Sequence, residues 1–117
     1  MNILHVDDDP LMRDLVALII HKNFGIQIRQ ASSGQEAMTK IKLGEEYDLI
    51  LSDYNMPNGT GGDLYNFLSQ NKYHIPFVLI SSDHPSQHKE FDEHHLDGYI
   101  IKPNIATPLN AFLKQIL

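Results

Sequence analysis

The chain predicts an α/β fold in which a parallel β-sheet is covered on both faces by helices. Three observations carry that expectation. Apolar and β-branched clusters recur five times along 117 residues, at 2–6, 26–30, 48–52, 77–81 and 98–101. Three of them are near-continuous apolar runs, as strands buried on both faces require. Between them lie segments with helical spacing, and such alternation calls for right-handed crossovers that place helices on the sheet.

The elements follow in chain order. "NILHV" forms the first strand, and Asp9 then Pro10 supply an N-cap and a first helical position. Behind them Leu11, Leu15 and Leu18, with Met12, Val16 and Ile19 alongside, make a broad apolar stripe, closed by Asn23 and Gly25. "IQIRQ" is the second strand. Ser33 with Glu36 fits a capping box for a helix carrying Ala37, Met38 and Ile41. "DLILS" is the third strand, and Leu64, Phe67 and Leu68 mark the third helix.

"FVLIS" is the fourth strand and "GYII" the fifth. The segment between them, 84–95, reads "HPSQHKEFDEHH" and has one large apolar residue, Phe91. Any helix there is expected to be weakly anchored and mobile. Thr107 and Pro108 open a last helix whose Leu109, Phe112, Leu113 and Ile116 share a face.

Composition narrows the function. The formal net charge is −6, from 15 acidic residues against 9 Lys plus Arg. Nucleic acid and anionic membrane surfaces both need a basic footprint, so direct binding to either is not expected. No cysteine is present, which removes thiol chemistry and Cys-ligated zinc. The longest apolar run, Leu15 to Ile20, is far too short to span a bilayer, and the first residues do not read as a signal peptide. The expectation is one cytoplasmic domain over residues 1–117.

In helix-flanked parallel sheets, ligands bind beyond the carboxyl ends of the strands. The residues at those ends are Asp7 and Asp8, Asp53, Ser81 and Lys102. Three carboxylates on one rim repel, and either a proton or a hard divalent cation relieves them. A lysine and a hydroxyl aimed at the same place add donors for an anion beside that cation. Together these groups are what transfer of a phosphoryl group to a carboxylate requires.

"VDDDP", "DLILSDYNMPNGTGGDL", "IPFVLISS" and "DGYIIKP" resemble, in order and spacing, the four signature blocks of response regulator receiver domains. The match runs over essentially the whole chain and is nearest the chemotaxis-type members. The resemblance implies a flavodoxin-like (βα)5 fold, a doubly wound parallel sheet with strand order 2-1-3-4-5. It implies that Asp53 is the phosphoacceptor and that Asp7 and Asp8 organise Mg²⁺. Asn55 would offer its backbone carbonyl to the same ion. Ser81 takes the place of the hydroxyl residue that turns toward the phosphoryl group, and Lys102 that of the family lysine, with a cis bond to Pro103. Tyr99 matches the switch aromatic that moves inward.

There are departures. Asn104 stands where many relatives have Phe, Ser82 replaces a commoner Ala or Gly, and the last helix carries no arginine of the kind associated with dimerisation. His84 with His88, and His94 with His95, have spacings that suit a metal but read as a solvated face. His5, in mid-strand, reads as a satisfied core residue.

The expected function is therefore a phosphoacceptor switch rather than an enzyme, with at most self-catalysed phosphorylation and dephosphorylation. Its partners would be a sensor histidine kinase or histidine phosphotransfer protein and a downstream effector. Two alternatives compete. A pseudo-receiver would be an interaction module without phosphorylation. A metal-dependent phosphatase with an aspartyl nucleophile would need an Asp-x-Asp pair, whereas Asp53 is followed by Tyr54 and Asn55. A flavin-binding flavodoxin fits least, because the loop after the first strand is acidic.

Overall fold

Strands β3 (Leu49–Asp53) and β4 (Phe77–Ser81) are buried at every position, as their near-continuous apolar runs require of central strands. They form the middle of a five-stranded parallel sheet with β1 (Ile3–Val6), β2 (Arg29–Ala31) and β5 (Gly98–Ile101), in the order β2-β1-β3-β4-β5. This computed structural model describes residues 1–91 and 96–117. Among these residues four helices accompany the strands: α1 (Pro10–Phe24), α2 (Gly34–Lys42), α3 (Gly61–Gln70) and α4 (Ala106–Ile116). Between β4 and β5 the described residues form a single 3-10 turn, Pro85–Gln87.

Alternation along each strand builds two cores. Leu4, Val6, Ile50, Phe77 and Leu79 face α2 and α3, where Ala37, Ile41, Leu64 and Leu68 meet them. Ile3, Leu49, Leu51, Val78 and Ile80 face α1 and α4, against Val16, Ile20, Leu109 and Leu113. Each fully buried Leu or Ile contributes about 1.5–3 kcal/mol by leaving water. Truncating Leu64 or Leu109 to Ala costs more, roughly 2–5 kcal/mol, because a cavity remains.

Helix α1 begins where its sequence says. Asp9 is extended and its side chain accepts from the Leu11 N–H at 3.0 Å, Pro10 opens the helix, and Gly25 closes it with φ of 69°. The broad apolar stripe does not survive intact. Val16 and Ile20 face the core, while Leu11, Leu15 and Leu18 are 77%, 45% and 63% exposed. One helix face meets the sheet, and a stripe wider than that contact leaves its far edge in solvent.

Four further expectations are corrected. The second strand is Arg29–Ala31, because the ladder from β1 starts at Leu4 opposite Arg29 and the earlier residues of 26–30 have no strand beside them. The Ser33–Glu36 capping box is half formed. Ser33 caps the Glu36 N–H, but the Glu36 carboxylate accepts from the N–H and hydroxyl of Ser32. Helix α4 starts at Ala106 after Ile105, so Thr107 and Pro108 lie inside its first turn.

The fourth concerns the β4–β5 connection, whose described part is firmly attached. Phe91 is buried among Tyr54, Tyr65 and Phe77, and His88 stacks on Tyr54 with centroids 3.6 Å apart. The Tyr54 hydroxyl donates to Glu90 Oε1 at 2.9 Å. The remainder of 84–95, including His94 and His95, lies outside the described residues.

Candidate functional site: an acidic rim at the carboxyl ends of the strands

Each site residue is placed by the end of a strand. β1 stops at Val6, and the Asp7 N–H still donates to the Ala31 carbonyl at 3.0 Å, so Asp7 stays locked to the sheet and buried. Its Oδ1 accepts from the Asp9 N–H at 2.9 Å and its carbonyl from Arg13 Nη1 at 2.7 Å. Its Oδ2 is buried with no hydrogen-bond partner among the described residues. Asp8, one residue on, is exposed.

Asp53 is the last residue of β3 and only 5% exposed. A loop over 54–60 leads back to the start of α3, where a Cβ on Gly61 would run into the Asp53 carbonyl oxygen. Gly61 instead donates its N–H to the Tyr54 carbonyl at 2.9 Å. Thr60 and Asp63 cap α3 reciprocally. A side chain at Gly62 would strike Glu90, so the glycine pair also makes room for the Tyr54–Glu90 bond.

Carboxylate oxygens of Asp7, Asp8 and Asp53 all lie within 4.8 Å of one another. Burial, with Asp53 as a nearby negative charge, raises the Asp7 pKa, although the Asp9 N–H works against the rise. Burial likewise raises Asp53, partly offset by Lys102. Lys102 follows β5, donates its N–H to the Ser81 carbonyl at 2.8 Å, and reaches Asp53 Oδ1 with Nζ at 3.0 Å. The Lys102–Pro103 bond is cis.

Such a donor set fits a hard divalent cation. All three side chains offer oxygen, one buried oxygen has no partner, and the summed negative charge exceeds what Lys102 neutralises. Among the described residues this is the one grouping of three or more acidic or histidine side chains suited to a metal. His84 and His88 are engaged elsewhere, with Ser86 and Tyr99 and with Tyr54 respectively.

The remaining sequence-predicted residues surround this core. Ser81 ends β4 and is buried, and its hydroxyl oxygen accepts from the Asp83 N–H at 3.2 Å. Asn55 is exposed two residues beyond Asp53, and Ser82 and Asn104 are exposed as well. Tyr99 is 47% exposed on β5, with its hydroxyl 3.2 Å from His84 Nε2.

His5 departs from expectation. It is fully buried, yet neither ring nitrogen has a hydrogen-bond partner among the described residues. Its Nε2 lies 3.9 Å from Asp7 Oδ2. Burial first, then the charges of Arg13 and Lys102, lower its pKa to about 4. The ring is therefore neutral at pH 7, and its approach to Asp7 is not an ion pair.

Sequence reasoning missed Arg13 beneath Asp7, the His84–Tyr99 contact and the Tyr54–His88–Glu90 group. Each joins residues from separate segments with no shared local pattern. The one available signal was the aromatic directly after Asp53.

A family model described as response regulator receiver domain matches residues 3–114. Chemotaxis protein CheY-3 of Vibrio cholerae is 30% identical over 119 residues, covering 99% of this chain and 91% of that protein. Two-component response regulator ARR22 of Arabidopsis thaliana is 37% identical over 106 residues, 88% of this chain and 74% of its own. Response regulator TrrA of Thermotoga maritima, solved in complex with Mg²⁺-BeF, superposes with a TM-score of 0.83 at 27% identity, covering 99% of this chain and 98% of that one.

Proposed function

Because the chain belongs to the response regulator receiver domain family, we propose that it is a phosphoacceptor switch of a two-component phosphorelay, with Asp53 as the acceptor. The donor is a phosphohistidine on a sensor histidine kinase or histidine phosphotransfer protein. A carboxylate oxygen of Asp53 attacks phosphorus in line, the phosphorus–nitrogen bond breaks, and the departing imidazole nitrogen keeps the bonding pair.

Asp7, Asp8 and Asp53, with the backbone carbonyl of Asn55, would hold Mg²⁺. Bound there, the ion supplies positive charge to the equatorial phosphoryl oxygens. Lys102 already reaches Asp53 Oδ1 at 3.0 Å, within a small side-chain movement of a phosphoryl oxygen attached to it. The Ser81 hydroxyl leaves the Asp83 N–H for the phosphoryl group, and Tyr99 follows inward. This biases an existing equilibrium of the 82–102 face, which a downstream effector protein or domain reads.

On this reading the chain is a signalling module rather than an enzyme, its only chemistry being gain and loss of its own phosphoryl group. It works in the cytoplasm through protein partners, without direct contact to nucleic acid or membrane. The net charge of −6 supports protein over nucleic-acid contacts. Among the described residues no helix is long and apolar enough to cross a membrane.

The observation that carries the proposal is the convergence of two further carboxylates, Asp7 and Asp8, and one lysine on Asp53 at the sheet's carboxyl edge. Acetyl phosphate with Mg²⁺ should add one phosphoryl mass to the intact protein and none to Asp53→Asn. Retention of the full mass shift in that variant removes Asp53 as acceptor.

A further inference from the structure

His84 ties the start of the β4–β5 connection to Tyr99, and we infer that this contact is a latch holding the Tyr99 ring outward. The inference rests on the switch role proposed for Tyr99. The hydrogen-bond network sets the proton positions. The Ser86 backbone N–H donates to His84 Nδ1 at 3.1 Å, capping the 3-10 turn, so Nδ1 is an acceptor. In the neutral ring the proton then sits on Nε2. That nitrogen lies 3.2 Å from the Tyr99 hydroxyl and donates to it. The two rings meet edge to face, with centroids 4.9 Å apart and planes at 71°.

An inward swing of Tyr99 breaks both the Nε2–H bond and the ring contact. His84 thus stabilises the outward ring over the inward one, and an equilibrium shifts only through such a difference. The latch is also coupled to the site. The Asp83 N–H binds the Ser81 hydroxyl at 3.2 Å, and Asp83 is the residue directly before His84. A Ser81 hydroxyl that turns to a phosphoryl group releases this N–H, loosening the backbone that positions His84. Loss of one bond at the site thereby weakens the next at Tyr99.

Substitution separates the two duties of His84. In His84→Asn the short side chain keeps an oxygen acceptor for the Ser86 N–H, since Asn is a favoured cap. It cannot reach Tyr99. Wild type, His84→Asn, Tyr99→Phe and the double variant are titrated with beryllofluoride in saturating Mg²⁺. Half-saturation is read from the Ser81 and Lys102 amide signals, and ring position from labelled Tyr99. His84→Asn should lower half-saturation about two- to tenfold, the range of one exposed hydrogen bond. In the Tyr99→Phe background, where only the ring contact is left to lose, the drop should be clearly smaller.

An unchanged midpoint in His84→Asn, with Tyr99 moving inward in the wild type, overturns the latch and leaves the switch reading standing. An equal drop in the Tyr99→Phe background also overturns it, because His84 then acts through the turn alone. If the wild-type ring stays outward while Ser81 and Lys102 respond, the switch role of Tyr99 falls, and the latch with it.

Discussion

At the β1 and β3 ends of the rim, acidic groups are packed without enough partners, whereas at the β4 and β5 ends Ser81, Lys102 and Tyr99 each already have one. Among the described residues Asp7 keeps a buried, unpartnered oxygen, and burial raises the pKa of both Asp7 and Asp53. His5, whose Nε2 lies 3.9 Å from Asp7, has two ring nitrogens without a hydrogen-bond partner among those residues. Across the rim, Lys102 holds Asp53, Ser81 accepts from Asp83, and Tyr99 meets His84. On the proposed function, the acidic half is a standing cost that a cation would relieve, and the other half a set of contacts that a phosphoryl group would exchange.

The sharpest way to break this contrast is through His5. Its folded pKa is lowered to about 4 from 6.5, so the unfolded chain takes up a proton before the folded one does. Stability from this group is complete above about pH 6.5 and is lost as pH falls toward 4. In metal-free protein near pH 5, the loss should be roughly 2 kcal/mol relative to pH 7. Urea unfolding of His5→Leu should remove most of that slope. If the slope persists, the ring finds a partner and this end of the rim is not under-satisfied.

Asp53→Ala tests the acidic half more directly. Above their raised pKa values, Asp7 and Asp53 reduce folded-state stability, and protonation relieves the loss as pH falls. The sign is thus opposite to that of His5. At pH 7 without metal, Asp53→Ala should be more stable than wild type by about 1 kcal/mol, the scale of close charges at an effective dielectric near 20. Asp8→Ala should show a smaller gain, because Asp8 is exposed. Lower melting temperatures in both variants would mean that the carboxylates serve mainly as structural acceptors.

The opposite half should respond weakly in stability. Ser81→Ala removes one hydrogen bond and should cost about 0.5–1 kcal/mol in thermal melts, while slowing phosphoryl transfer from acetyl phosphate. A large unfolding effect with unchanged transfer would make Ser81 a structural residue. Tyr54→Phe, which loses the bond to Glu90, should cost a similar or smaller amount. Tyr54 is also held un-ionised, with its pKa raised to about 12 by burial and by Glu90. Its absorbance should therefore titrate above the ordinary tyrosine range near 10.

Much of this was legible in the sequence, because strand ends are read from local pattern. β4 and β5 fall where their apolar runs lie, the strand order matches that of the family, and Asp9 with Pro10 opens α1. The carboxylates and Lys102 were found because their strands end together. What escaped depends on distance in the fold rather than on local spacing. Leu11, Leu15 and Leu18 look like core until the width of the sheet limits which face is covered. Apolar residues alone could not reveal that the 84–91 stretch is anchored, since its partner Tyr54 lies more than thirty positions away and Glu90 and His88 are polar. His5 reads as an ordinary buried residue because nothing local shows that its nitrogens lack a partner among the described residues.

The central claim is that the acidic half waits for a divalent cation, and thermal melting with and without Mg²⁺ tests it most directly. Mg²⁺ should raise the wild-type melting temperature by several degrees, as preferential binding to the folded state requires. The rise should be absent in Asp8→Ala and in Asp53→Ala, which start higher without metal. An equal Mg²⁺ effect in all three proteins, or none in the wild type, contradicts the account.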